Sequence, residues 1–106
     1  MSNLISLGAV ADVPEGRGLT VRREGKAFAV FKLDGEIHVL NGECPHRGAA
    51  LAEGCVENGR VFCPLHGWEF ELRTGECVTN PAKPVRNYLV TIADGQVWVD
   101  AAAETV

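Results

Sequence analysis

Apolar residues recur along the chain in short runs, cut at close intervals by glycine paired with a polar residue. The cuts fall at Glu24-Gly25, Asp34-Gly35, Asn58-Gly59, Thr74-Gly75 and Asp94-Gly95. They read as turns, because glycine supplies positive φ without steric cost and Asn or Asp tolerates the same region. Between them, residues 4–7, 18–23, 26–33, 36–40, 60–63, 69–72, 86–92 and 96–99 are rich in Val, Ile, Phe and Tyr and predict strands. The last two alternate with a period of two, placing Tyr88, Val90 and Ile92 on one face and Val97 and Val99 on one face of the partner. No segment carries a sustained helical period; one turn of helix is expected at residues 14–16, and residues 101–106 read as a frayed tail. The pattern predicts an all-β sandwich or small barrel.

A chain of 106 residues holds one modest core, so residues 1–106 are expected to form a single domain. The net charge of −4 leaves no basic stripe to neutralise phosphates and argues against nucleic acid as a partner. Arg22-Arg23, the densest basic spot, reads as a solvated strand end. Met1-Ser2-Asn3-Leu4 has no export signal, and the longest apolar run, residues 27–31, is far short of a membrane span. A cytoplasmic location with no membrane partner is therefore expected. Thiols stay reduced there, so four cysteines favour metal or redox chemistry over disulfides.

Two stretches break the strand rhythm, residues 42–51 and 64–68, with the Asn58-Gly59 turn between them. The first holds Cys44-Pro45-His46 and the second follows Cys63 with Pro64-Leu65-His66; sixteen residues separate His46 from Cys63. A hairpin at Asn58-Gly59 would bring the two loops side by side, each offering one thiol and one imidazole. A Cys–His nucleophile needs one such pair, not two. Structural zinc accepts two Cys and two His, but usually with like residues sharing an arm. A binuclear iron–sulfur cluster in which His₂ replaces Cys₂ on one iron suits mixed arms, since each loop can ligate both irons.

The spacing Cys44-x-His46 followed by Cys63-x-x-His66, with Gly48 and Gly67, resembles the Rieske family over nearly the whole chain. The resemblance implies three small antiparallel sheets that carry one [2Fe-2S] cluster at a tip. It implies Cys44 and Cys63 as ligands of the buried iron, and His46 and His66 as ligands of the outer iron with their distal nitrogens near solvent. A third loop covers the cluster in that family, and Asn80-Pro81-Ala82-Lys83-Pro84 falls where it would lie. Respiratory members add a cysteine to each loop; Ala49 and Leu65 stand there instead, so no stapling disulfide is expected. Cys55 and Cys77 read as buried, inert thiols.

High-potential members also aim a Ser and a Tyr hydroxyl at the cluster sulfurs, where this chain has Trp68 and Phe70. Two hydrogen bonds that stabilise the reduced cluster are thus missing, and a low potential is expected. The only further histidine is His38, an ordinary strand residue, so mononuclear oxygenase iron has no ligand set here. The resemblance implies an electron carrier: a soluble ferredoxin passing single electrons from a flavin- and NAD(P)H-dependent reductase to a ring-hydroxylating oxygenase. The alternative is the small subunit of an NAD(P)H nitrite reductase, with the large subunit as acceptor. The segments 44–48 and 66–75 stand somewhat closer to that second branch. Glu43, Arg47, Glu53, Glu69 and Glu71 flank the loops, a net acidic set able to steer a basic partner.

Overall fold

The computed structural model describes residues 4–44, 49–64 and 67–104. Its strands are β1 (Leu4–Ala9), β2 (Gly18–Arg23), β3 (Lys26–Leu33), β4 (Glu36–Asn41), β5 (Cys55–Glu57), β6 (Arg60–Phe62), β7 (Glu69–Glu71), β8 (Asn87–Ala93) and β9 (Gln96–Glu104). Among the described residues the only helical elements are single 3₁₀ turns, Val10–Asp12 and Leu51–Glu53. The architecture is all-β, as the hydrophobic pattern predicts.

The strands form three small antiparallel units. One runs β1-β9-β8 and another β4-β3-β2; β4 and β8 join them through two residue pairs, Val39↔Tyr88 and Leu40↔Asn87, into one six-stranded sheet. That sheet curls until β1 lies against β2. The third unit, β5-β6-β7, stands apart as a separate sheet.

Four hairpins turn where Xaa-Gly predicts. Glu24-Gly25, Asp34-Gly35, Asn58-Gly59 and Asp94-Gly95 all have positive φ at both positions, the geometry that matches strand twist. Thr74-Gly75 behaves differently. Only Gly75 has positive φ (80°), its N–H donates to the Glu71 carbonyl, and its carbonyl accepts the Val85 N–H at 2.8 Å. A Cβ there would run into the Val85 carbonyl oxygen. Gly75→Ala should therefore cost more than the ~1–2 kcal/mol of the left-handed conformation alone, read as a lowered midpoint in chemical denaturation.

Strand β3 explains how the core is divided. Phe28, Ala29, Val30 and Phe31 are all buried, so the strand is covered on both faces. By strand alternation Phe28 and Val30 enter one cluster with Ile5, Leu7, Val39, Tyr88, Val97 and Val99. Ala29 and Phe31 enter the other, with Leu40, Leu51, Val61, Phe70 and Leu72. Phe28 meets Tyr88 edge-on in the first, ring centroids 5.1 Å apart.

The structure corrects several expectations. The tail is not frayed at 101: β9 continues to Glu104, which pairs with Tyr88 of β8. The helical turn lies at Val10–Asp12 rather than 14–16. Strand β5 is an addition; three residues with only Val56 half-buried between exposed neighbours give no apolar run to notice. In β8, Tyr88 is buried and Val90 half-buried, but Ile92 at the hairpin end is 51% exposed.

His38 sits on β4 opposite Phe31, its side chain 14% exposed and its Nε2 3.6 Å from a Glu36 carboxylate oxygen. Burial lowers its pKa below the usual 6.5; Glu36 opposes the shift and Arg73 adds to it. The unfolded chain therefore takes up this proton first as the pH falls. Stability from the neutral imidazole is fully present above about 6.5 and is lost as pH drops toward the lowered folded value. The thermal midpoint of the protein should fall more between pH 7 and pH 5 than that of His38→Gln; equal slopes would refute it.

Candidate metal centre

The two sequence loops hang from the separate sheet and the end of β4. Cys44 follows β4, where the Gly42 N–H donates to the Ala27 carbonyl (2.8 Å) and the Leu51 N–H to the Gly42 carbonyl (3.0 Å). A Glu43↔Ala50 bridge closes the neck of this loop. Cys63 follows β6, and the Asn58-Gly59 hairpin sets β5, β6 and β7 side by side beneath it.

Both loops are shut by the same bond. The Cys44 N–H donates to the Ala49 carbonyl at 2.9 Å, and the Cys63 N–H donates to the Trp68 carbonyl at 2.8 Å, five residues on in each case. The second is tightened by the Gly67 N–H on the Cys63 carbonyl (2.9 Å), with Gly67 at φ 71°, a conformation suited to glycine. Cys44 is 1% and Cys63 2% exposed, and both belong to the cluster that contains Phe70, Leu72 and Cys77. The sequence thus brings its two candidate thiols to one apolar region. His46 and His66, together with Pro45, Arg47, Gly48 and Leu65, lie outside the described residues.

None of the four cysteines forms a disulfide. Cys77 is buried as expected, but Cys55 is exposed, a correction that follows from its place at the start of the short strand β5. Cys77 also has a role that sequence spacing does not reveal. Its sulfur accepts the Asn80 N–H at 3.3 Å, and Asn80 in turn accepts the Ala82 N–H on its side chain and the Lys83 N–H on its carbonyl. The segment 80–84 is thereby tied to the core. It is held beside the second loop too, since the Val78 N–H donates to the Glu69 carbonyl and the Glu69 N–H to the Thr79 hydroxyl.

Of the aromatic pair, Phe70 is fully buried in the cluster with both thiols, and Trp68 is half-buried against it. Neither brings a hydroxyl. The acidic residues beside the loops are partly neutralised: Arg60 reaches Glu69 at 3.0 Å and Glu71 at 3.3 Å across β6 and β7. Those contacts, the Glu69 hydrogen bond first, raise the Arg60 pKa. Glu43 and Glu53 are exposed.

Two soft sulfur donors shielded from water suit iron–sulfur chemistry, and the donor set fits such a cluster. The site defines a small β protein with two buried thiols brought to one apolar region by two closed loops. A profile of the Rieske [2Fe-2S] domain matches residues 3–90, and the chain belongs to that family. It is 37% identical over 100 residues to the 3-phenylpropionate/cinnamic acid dioxygenase ferredoxin subunit of Escherichia coli K12, covering 92% of this chain and 93% of that one. Among solved structures it resembles the Sphingomonas yanoikuyae B1 ferredoxin (TM-score 0.85, 37% identity, 92% and 98% covered). A Mycobacterium tuberculosis protein provisionally assigned as an NADH-dependent nitrite reductase small subunit is also similar (TM-score 0.84, 27% identity, 93% and 95% covered). So is a chain from a complex of reduced oxygenase and oxidised ferredoxin in carbazole 1,9a-dioxygenase (TM-score 0.81, 28% identity, 90% and 99% covered). The family's cofactor is the [2Fe-2S] cluster. Among the described residues no helix is long and apolar enough to cross a membrane.

Proposed function

We propose that the protein is a Rieske-type ferredoxin that carries single electrons to the oxygenase of a ring-hydroxylating dioxygenase system. The observation that carries this reading is the pair of buried thiols, Cys44 and Cys63, in two loops closed by identical backbone bonds. It is supported by relatives of the same length that serve as dioxygenase ferredoxins. Cys44 and Cys63 hold the cluster as thiolates, and His46 and His66 complete the set as imidazoles. When bound, the cluster supplies one-electron redox chemistry. The chain's own part is to exclude water from the sulfur side through Phe70, Leu72 and Val61, and to close the loop necks through the Cys44–Ala49 and Cys63–Trp68 backbone bonds. The electron donor is a flavin-containing NAD(P)H reductase, the whole chain 1–106 acts as one domain, and its compartment is the cytoplasm.

Similarity to the Mycobacterium protein keeps a second acceptor in view, the large subunit of a nitrite reductase. The higher identity to dioxygenase ferredoxins favours the first.

The test is electron paramagnetic resonance of the anaerobically purified, dithionite-reduced protein with iron and sulfide assayed. A rhombic mixed-ligand signal with about two irons and two sulfides per chain is expected. Zinc, or no metal, would overturn the reading. With Trp68 and Phe70 in place of hydroxyl donors, the potential should lie near −150 mV, the bottom of the roughly −150 to +300 mV Rieske range.

A further inference from the structure

No motif singles out Thr79, yet it stands where two parts of the site meet. Residues 76–79 run antiparallel beside β7, on the side away from β6. The Glu71 N–H donates to the Glu76 carbonyl (2.9 Å) and the Val78 N–H to the Glu69 carbonyl (2.8 Å), with Phe70 and Cys77 paired between them. A continued antiparallel ladder would hand the Glu69 N–H to the Val78 carbonyl. The Thr79 hydroxyl accepts it instead, at 3.0 Å. There the segment leaves β7, and Asn80 is tied back to the Cys77 sulfur.

The Glu69 N–H belongs to the same planar peptide as the Trp68 carbonyl. That carbonyl accepts the Cys63 N–H at 2.8 Å and so closes the second loop. One peptide is therefore held at both ends, by Thr79 on one side of β7 and by Cys63 on the other. We propose that Thr79 is a positioning residue of the metal centre: its hydroxyl fixes the peptide that holds Cys63 in place. This rests on the electron-carrier reading above. A partner at the N–H end polarises the peptide and strengthens its carbonyl as an acceptor. The neck of the first loop is closed by a backbone ladder, Leu51 N–H to the Gly42 carbonyl beside Cys44 N–H to the Ala49 carbonyl. Loss of the Thr79 hydroxyl should therefore loosen the second loop and spare the first. Thr79 is exposed, so a valine of the same shape leaves the buried cluster of residues untouched.

The experiment compares the cluster-loaded protein with Thr79→Val, Thr79→Ser and Thr74→Val. The last removes a similar hydroxyl, which accepts the Glu76 N–H at 3.1 Å at the far end of the segment. Two readouts are taken: hydrogen exchange by mass spectrometry, and the paramagnetic resonance line width of the reduced cluster. Thr79→Val should speed exchange over residues 60–70 at least about threefold, with the first loop and β3 unchanged. It should also broaden the resonance, because Cys63 then samples more than one position. Thr79→Ser should restore both readouts, and Thr74→Val should change neither. Parental exchange in Thr79→Val would overturn the proposal. Faster exchange with an unchanged line width would overturn it too, since the hydroxyl would then steady the loop without placing Cys63. So would a Thr79→Ser as altered as Thr79→Val, which would assign the effect to the methyl group. The two failures separate: a parent protein without the rhombic signal sinks the electron-carrier reading. A parent with that signal and an unchanged Thr79→Val sinks the role of Thr79 alone.

Discussion

Cys63→Ser should bind little or no iron, falling from about two atoms per chain toward none, while the sheet formed by β1, β2, β3, β4, β8 and β9 still folds. Serine keeps the backbone bond from residue 63 to the Trp68 carbonyl, so the loop closes as before. What it loses is the thiolate. A hydroxyl ionises far less readily than a thiol and is a harder donor, poorly matched to iron bridged by sulfide. The site is 2% exposed, so water offers no substitute ligand. Cys55→Ser is the control: that thiol is exposed, outside the cluster of buried residues, and full iron content should survive its loss. His66→Cys tests the other half of the ligand set and should shift the spectrum toward an all-thiolate ferredoxin or abolish it. An unchanged Rieske spectrum in His66→Cys, or full iron in Cys63→Ser, would remove those residues from the proposed ligands.

Phe70→Ala should cost about 3–5 kcal/mol, the range for truncating a buried Phe. Phe70 is 0% exposed at the centre of β7, and its neighbours Val61, Leu72, Cys44 and Cys63 are themselves packed and cannot collapse into the space. Domains of this size have about 5–15 kcal/mol in total, so a large share of the stability goes. Because the void opens against both cysteines, iron should also be lost faster in the variant. Denaturation midpoints and the rate of iron release to a chelator, measured together, decide it. A loss below 1 kcal/mol would mean that Phe70 is not the keystone of this side.

Much of the fold was legible because its signals are local. Four Xaa-Gly turns have the positive φ that their residues predict, and seven of the eight expected strands end within two residues of the observed ones. The eighth, β9, runs on to Glu104, because Tyr88 of β8 pairs with it there, and pairing at such a distance leaves no mark on the tail itself. Strand β5 was missed for a related reason: Cys55, Val56 and Glu57 are extended by their partners across the hairpin, not by an apolar pattern. Its exposed Cys55 was misjudged with it. At the site, spacing alone found the two thiols that the structure gathers into one cluster. Spacing did not find the tie from Cys77 to Asn80, since a sulfur accepting a backbone N–H requires only a shape of chain, which no motif spells out.

Strand β3 turns Phe28 and Val30 to one cluster and Ala29 and Phe31 to the other. The protein is thus two compartments with one party wall. The barrel compartment owns both ends of the chain through β1 and β9 and contains neither Cys44 nor Cys63. Loss of metal from the proposed ligands is therefore expected to disturb the compartment of Cys44 and Cys63 first and to leave the packing of Phe28, Val39, Val97 and Val99 in place.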